Sequence, residues 1–174
     1  MPERIETERL LLRPLEDADL EPLWRIHGDE QAMRFTFSPD SPEASEQNLR
    51  AYAALSGTHG FAPWTALLRA SGRVVGWGGL NVDPHAPGWG VEVSYFFDPA
   101  FHGRGLASEL VAAALTHGFG ELELPAIGAF ARPENAASAR VLEKNGFRLL
   151  GFVAELERNH YEIRSCDWQR RPDT

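Results

Sequence analysis

Apolar residues at the start of the chain change from strand-like to helix-like spacing. The run RLLLRPL at 9–15 is short, apolar and ended by a proline, which predicts a strand. Residues 15–30 carry apolar side chains at helical spacing, with Asp17 or Asp19 as the candidate cap and Gly28 as the candidate end. The chain therefore begins with a strand followed by a helix.

The middle of the chain is rich in strand signals. After a polar loop and a second predicted helix from about Glu43 to Leu55, residues 63–83 form two apolar runs divided at Ser71-Gly72, a favourable hairpin turn. The segment WGVEVSYFFDP at 89–99 then alternates as a strand does. One face of that strand carries Val91, Val93, Tyr95 and Phe97, and the other carries Glu92, Ser94 and Phe96.

The second half of the chain alternates helices with strands. GLASELVAAALTHGF at 105–119 has the clearest helical stripe, and AIGAFA at 126–131 is a short strand of the buried type. PENAASARVLEKNG at 133–146 predicts a helix capped by Asn135, and two further strands close the chain. The order β-α-α-β-β-β-α-β-α-β-β indicates an α/β sandwich with a mixed sheet.

Composition narrows the class of protein. The chain has 174 residues, 43% hydrophobic and 24% charged, which suits one globular domain spanning 1–174. The formal charge of −8 argues against a general nucleic-acid binder, because such proteins neutralise phosphates, and it fits a cationic substrate weakly.

Cysteine, histidine and hydropathy patterns bear on compartment and metals. Cys166 is the single cysteine, so a disulfide framework is excluded within one chain and a cytoplasmic location is expected. The charged start lacks the apolar core of a signal peptide, and no apolar run approaches the roughly 20 residues of a membrane span. Because no apolar run reaches that length, no membrane partner is expected. The six histidines have no metal-ligand spacing, so no metal is expected.

The stretch DPAFHGRGLASELV at 98–111 carries the first chemical signal. Gly103 and Gly105 leave bare backbone at the start of a helix, where unpaired N–H groups and the helix dipole attract anions. Arg104 adds a charge, so the stretch predicts a phosphate cradle, with an ordinary tight connection as the alternative. It is neither a dinucleotide fingerprint, since the third small residue would be Ser108 outside a βαβ opening, nor a P-loop.

Three linked motifs resemble the GNAT N-acetyltransferase superfamily. HGRGLA followed by ASELVAAAL resembles motif A, Gln/Arg-x-x-Gly-x-Gly/Ala, with Gly105 and Ala107 at the small positions and His102 where Gln or Arg is usual. RPENAASARVLEKNGF at 132–147 resembles motif B. IETERLLLRPLEDADLEPL and VEVSYFFDPAFHGRGLASE are similar to segments of the RimJ/RimL branch.

The resemblance covers nearly the whole chain and implies a fold. That fold is α/β, with a mixed, mostly antiparallel sheet of about seven strands, splayed at the cofactor site and flanked by about four helices. It also implies acetyl transfer from acetyl-CoA to a primary amine. Phe96 and Phe97 would pair through their main chain with the pantetheine arm, and Asn135 would bind that arm or orient the sulfur. The CoA pyrophosphate would lie on the amides of His102, Gly103, Arg104, Gly105, Leu106, Ala107 and Ser108.

Direct transfer requires proton movement, because an alkyl ammonium with a pKa near 10 must lose a proton before it attacks. Glu92 is the candidate base, since a carboxylate in an apolar strand can have a raised pKa; a wet sheet face is the alternative. Leu142 stands where many GNAT enzymes have a tyrosine that acts as the general acid. The resemblance then implies Ser138 as the proton donor, with a polar residue of the first helical turn as the alternative.

The acceptor is left open between a protein N-terminus and a small-molecule amine. Phe35, Phe37 and Trp64 are expected in its pocket, because the family shapes its acceptor pocket from this part of the chain. Two other classes remain: a non-catalytic acyl-CoA-binding sensor or interaction module, and a nucleotide-binding αβ domain of another kind. The sequence is compatible with a homodimer.

Overall fold

The computed structural model describes residues 4–169, in which eight strands form one sheet. Residues 1–3 and 170–174 of the predicted domain lie outside the described residues. The strands are β1 (Ile5–Glu6), β2 (Leu10–Arg13), β3 (Trp64–Leu68), β4 (Val74–Val82), β5 (Val91–Phe97), β6 (Ala126–Ala131), β7 (Arg148–Val153) and β8 (Arg158–Arg164). The helices are α1 (Leu20–His27), α2 (Pro42–Ala53), α3 (Leu55–His59), α4 (Leu106–Leu115), α5 (Ala136–Lys144) and α6 (Ser165–Trp168).

The sheet order is β1-β2-β3-β4-β5-β6-β8-β7, and every neighbouring pair is antiparallel except β5 with β6. These two strands pair in parallel at one position, Glu92 with Gly128, and separate beyond it. The mixed, mostly antiparallel and splayed α/β sheet of the prediction is therefore confirmed. It has eight strands rather than about seven because the two-residue β1 was not predicted.

Two apolar clusters lie on opposite faces of this sheet. The larger packs α4 and α5 against one face, where Leu110, Val111 and Leu142 are fully buried. The smaller packs α1 and α2 against the other face around Trp77 and Phe96. The alternation along β5 sends Val93 and Phe97 to the first cluster and Phe96 to the second, as the sequence predicted.

Three element ends differ from the prediction. The second helix ends at Ala53, and a separate short helix follows from Leu55. Residues 116–121 continue α4 as a wider π-helical turn, so the predicted stop at Gly118 lies inside that turn. The last strand ends at Arg164, after which the chain turns into α6. All three differences lie at the ends of elements, which local propensity defines poorly.

A buried ion pair fixes α1 on the sheet. The Asp19 carboxylate accepts hydrogen bonds from two nitrogens of Arg13 at 2.7 and 2.8 Å, from the Glu16 amide at 2.9 Å and from the Thr65 hydroxyl at 2.9 Å. Burial would raise the pKa of Asp19, and these hydrogen bonds together lower it. Asp19 is the N-terminal boundary of α1, but its side chain bonds the sheet and the preceding turn instead of the helix amides.

Candidate active site

A cavity of about 610 Å³ opens where β5 and β6 separate. Its walls come from the ends of both strands, the first turn of α4 and the first half of α5. The volume lies in the range of small-molecule and cofactor sites. Because the strands diverge after Glu92, one edge of β5 is left without a neighbouring strand inside this cavity.

The pleat of β5 decides which main-chain groups face that gap. The Asp98 amide donates to the Val75 carbonyl of β4 at 2.8 Å, and hydrogen-bonded residues of an antiparallel pair alternate from there. Phe96 therefore bonds β4 with both its main-chain groups, whereas those of Tyr95 and Phe97 face the gap. The Phe97 carbonyl is 2.9 Å from Nε2 of His102, across the loop.

The predicted main-chain role of Phe96 is wrong, because its N–H and C=O both face β4. Its ring instead stacks between His27 at 4.9 Å and Trp77 at 5.3 Å. The gap-facing main-chain position next to Phe97 belongs to Tyr95. The main-chain groups of successive residues in a strand point to opposite edges of that strand. The alternation of side chains in the sequence does not show which residues face which edge.

The loop before α4 has the backbone of an anion cradle. Gly103 and Gly105 have φ of +73° and +78°, conformations that L side chains rarely adopt, and both line the cavity. Gly105 is the N-terminal boundary of α4, so the amides of Leu106, Ala107 and Ser108 lie in the first turn without helical partners. The backbone therefore has the geometry that the predicted cradle requires, and its binding of a phosphate stays a prediction.

Arg104 does not line the cavity with the other loop residues. Its guanidinium carbon lies 5.0 Å from the centre of the Phe101 ring, and its carbonyl accepts a hydrogen bond from Arg9. Arg9 also binds Glu109 through its Nε at 2.8 Å and its amide at 2.7 Å. Sequence reasoning missed this Arg9–Glu109 contact, which holds the cradle to the N-terminal segment.

The charges around the cavity are mostly positive, although the whole chain is acidic. Glu92 is the single acidic side chain among the described residues lining it. The cationic lining residues are Arg34, Arg132, Arg140, Lys144 and Arg158. Five cations around one cavity of a chain with net charge −8 favour a polyanionic ligand.

The start of α5 and the facing strand β5 bring three polar side chains to the cavity, namely Asn135, Ser138 and Tyr95. The Asn135 side chain accepts a hydrogen bond from the Ser138 amide at 3.1 Å, so Asn135 caps the helix as predicted. The Ser138 hydroxyl is 2.9 Å from the Tyr95 hydroxyl. Burial raises the pKa of Tyr95 to about 12, so this phenol keeps its proton at neutral pH. Sequence reasoning assigned Tyr95 to a strand face but missed its pairing with Ser138.

Glu92 lies at the point where β5 and β6 begin to separate. It lines the first cavity and a second cavity of about 600 Å³ beyond it. Burial, followed by the charge of Asp83, raises the pKa of Glu92 to about 7, while a hydrogen bond from Ser94 at 3.4 Å opposes the shift. A carboxylate with this pKa can accept a proton at neutral pH and release it again.

The second cavity lies between the sheet and the α1–α2 region. Phe37, 61% exposed, lines it, whereas Phe35 lines the first cavity. Trp64 lines neither, and its predicted place in the acceptor pocket is wrong. It is 5% exposed in the core on the α4 face, with its ring 5.9 Å from that of His117.

A protein-family model described as an acetyltransferase (GNAT) domain matches residues 9–148. The chain belongs to the GNAT acetyltransferase family. It is an acyltransferase that depends on acetyl-CoA, as GNAT acetyltransferases do. The matched range contains the cradle, Glu92 and Ser138 together.

This GNAT acetyltransferase has relatives of similar length. It is 28% identical over 156 residues to YoaA, an uncharacterized N-acetyltransferase of Bacillus subtilis (strain 168), a match that covers 87% of this chain and 86% of that protein. The crystal structure of an acetyltransferase from Agrobacterium tumefaciens str. C58 has a TM-score of 0.81 at 26% identity, covering 93% and 94% of the two chains.

The apo structure of RimL, a ribosomal L7/L12 α-N-protein acetyltransferase, has a TM-score of 0.75 and covers 94% of this chain and 95% of its own. At 21% identity the likeness shows the fold alone, so membership of the RimJ/RimL branch stays a prediction. Within residues 4–169 of this GNAT acetyltransferase, no helix has the length and apolar character needed to cross a membrane. The same residues contain no cluster of three or more His, Cys, Asp or Glu side chains suited to a metal ion.

Proposed function

We propose that the two cavities hold the two substrates of a direct acetyl transfer. Acetyl-CoA occupies the first cavity, an amine occupies the second, and Glu92 lies at their junction. The observation that carries this proposal is that Glu92 lines both cavities and has a pKa of about 7. A shared base at a junction is what a ternary-complex reaction requires.

Acetyl-CoA fits the first cavity by charge and by backbone geometry. Its pyrophosphate would lie on the first-turn amides of α4 and the glycine loop, where the helix dipole favours anions. The pantetheine arm would run along the open edge of β5, where the main-chain groups of Tyr95 and the Phe97 amide face the gap. Asn135, at the opposite wall, would contact the same arm.

In this reaction the acceptor nitrogen loses two protons and the departing sulfur gains one. Glu92 takes a proton from the ammonium of the acceptor, and the amine nitrogen attacks the thioester carbon. The gap-facing N–H of Tyr95 or Phe97 donates to the carbonyl oxygen, which becomes negative in the intermediate. The C–S bond then breaks and the acetyl group stays on the nitrogen. The departing thiolate accepts a proton from the Ser138 hydroxyl, and the second nitrogen proton, released as the amide forms, restores the Ser138–Tyr95 hydroxyl pair.

Tyr95 supports the acid role of Ser138. Its hydroxyl, 2.9 Å from the serine hydroxyl, keeps its proton at neutral pH and can donate to the serine oxygen as the serine proton leaves. A module that only binds acyl-CoA would need neither this hydroxyl pair nor a carboxylate with a raised pKa. These features favour the enzyme over the sensor.

The test is thiol release from acetyl-CoA with a panel of primary amines that includes free amino acids, simple alkylamines and short peptides. The proposal expects acceptor-dependent release together with an acetylated amine in the mass spectrum. Acetyl-CoA binding without turnover of any acceptor would favour the sensor. The RimJ/RimL branch, a cytoplasmic location and a homodimer remain predictions.

A further inference from the structure

The second cavity contains a cation that the acetyl-transfer chemistry does not use. Arg158, the first residue of β8, is half-buried and lines both cavities beside Glu92. Within residues 4–169 its guanidinium has no hydrogen bond and no ion-pair partner within 4 Å. A guanidinium presents a planar set of N–H donors that suits a carboxylate in a bidentate contact.

Arg158 is close enough to the proposed base for its charge to oppose the raised pKa of Glu92, and it acts in the same way on Tyr52. It is nevertheless too far from the Glu92 carboxylate to form an ion pair. A ligand that brought both a positive and a negative group would satisfy both side chains. Asp83 also lines this cavity and adds negative charge near Glu92, but among the described residues it forms no ion pair with Arg158. An amine alone would therefore leave the guanidinium without an ion-pair partner.

One wall of this cavity is aromatic, and the rest of its lining is mixed, with polar side chains that include Asp83 and His85. His27, Phe96, Trp77 and Tyr52 form a continuous series of ring contacts, at 4.9, 5.3 and 5.2 Å between successive centres, and all four line the cavity. Burial lowers the pKa of His27 to about 4, so this ring is neutral at physiological pH. The wall suits an apolar or aromatic group, and a volume of about 600 Å³ suits a small molecule.

We propose that the acceptor is a small, amino acid-like amine that carries a carboxylate next to its amino group and an apolar side group. Glu92 faces the amine, Arg158 binds the carboxylate, and the aromatic wall covers the side group. This inference rests on the proposed function of the same site. A peptide N-terminus is disfavoured, because its first carbonyl is an uncharged amide that leaves Arg158 without an anion.

The experiment compares each of a panel of L-amino acids with its own amide. The two members share an amine and a side chain, but the amide lacks the negative charge. We expect the best amino acid to exceed its amide at least tenfold in kcat/KM. The α-ammonium of an amide loses its proton more readily, so amine reactivity alone would give the opposite order.

Two substitutions locate the effect. R158Q should raise the KM of the amino acid ten- to hundredfold, the range for a charge-assisted contact, and change that of the amide less than threefold. R158K keeps the charge near Glu92 but loses the bidentate contact, and should give an intermediate KM with an unchanged pH profile. The matched control is R164Q, at the exposed other end of β8 and outside both cavities, with kinetics like the unsubstituted protein.

The outcomes separate this inference from the proposed function. The carboxylate role would be overturned, while acetyl transfer stands, if the amides had a kcat/KM equal to or above that of their amino acids. It would also be overturned if R158Q raised KM equally for the amino acid and its amide. If no amine supports thiol release, the proposed function fails. Melting temperatures measured with CoA present then test the carboxylate site separately. An amino acid that raises the melting temperature of the unsubstituted protein, but not that of R158Q, supports the site. An amino acid that does not stabilise the unsubstituted protein overturns it.

Discussion

Glu92 differs from the other carboxylates of the chain in its surroundings. It lies on a strand between two apolar clusters, where burial and the charge of Asp83 both favour the protonated acid. The pKa of about 7 follows from that environment and not from the residue type. The deprotonated base therefore becomes the major form only above about pH 7.

We expect kcat/KM to rise with pH through a midpoint near 7, because only ionised Glu92 accepts the ammonium proton. Glu92→Gln should lower kcat/KM about a hundredfold, as loss of a general base does, and abolish that rise. The measurement is the pH–rate profile at saturating acetyl-CoA. Glu162→Gln, outside both cavities, is the control, and a normal midpoint in Glu92→Gln would remove Glu92 from the mechanism.

The hydroxyls of Tyr95 and Ser138 should act as a unit. Ser138→Ala should lower kcat about tenfold, and Tyr95→Phe somewhat less, with the KM for acetyl-CoA unchanged in both. If Tyr95 acts through Ser138, the double variant will be no slower than Ser138→Ala alone, since interacting residues are not additive. Single-turnover thiol release measures this, and effects that multiply would mean two independent roles.

The elements that carry the chemistry differ in how far the sequence predicts them. The glycine turn before α4 and the α5 cap are formed by neighbours in the chain, so the glycine spacing and Asn135 predict their backbone correctly. The open edge of β5 depends on where β6 separates from it, which is a long-range property. For that reason Phe96 was predicted at an edge that belongs to Tyr95.

The positions of the Trp64 and Arg158 side chains also depend on long-range pairing, which the sequence does not show. Trp64 lies on a strand next to the α2–α3 region, but its face of β3 meets α4, so its ring joins the core instead of the acceptor cavity. Arg158 follows Glu92 by more than sixty residues and reaches the site only because β8 pairs with β6. At neither position does the local sequence indicate which residues will be neighbours in the fold.

The cradle before α4 can be tested apart from the catalytic groups. Gly105→Glu places a side chain and a negative charge where the pyrophosphate would lie, so we expect CoA affinity to fall at least tenfold. Gly72→Glu in the β3–β4 turn is a control for backbone strain, because its φ of +70° resembles the +78° of Gly105. The two sites differ in that a Cβ added at Gly105 would lie 3.2 Å from the flexible Arg9 side chain, while one at Gly72 meets no neighbour. Each substitution costs about 1 kcal/mol of backbone strain.

The measurements are calorimetric CoA titration and the melting temperature. Similar stability losses in the two variants, with weaker CoA binding in Gly105→Glu alone, would support the cradle. Unchanged CoA affinity in Gly105→Glu would contradict it.

At the scale of the whole molecule, net charge conceals the local charge pattern. The composition suggested a weak preference for cationic ligands, yet the cavity at the β5–β6 gap is lined by five cations. The acidic excess lies elsewhere, and the field inside the cavity is set by side chains that α5, β8 and two loops bring together. Charge segregation of this kind depends on the fold and is not visible in a sum over residues.

The central claim is that acetyl-CoA binds across the α4 cradle with its thioester in the β5–β6 gap beside Glu92. A crystal structure of the protein with acetyl-CoA tests it most directly. The account predicts pyrophosphate oxygens within hydrogen-bond distance of the amides at 105–108, and the acetyl carbonyl at the open edge of β5. Acetyl-CoA bound away from this gap, or no binding at saturating concentration, would contradict it.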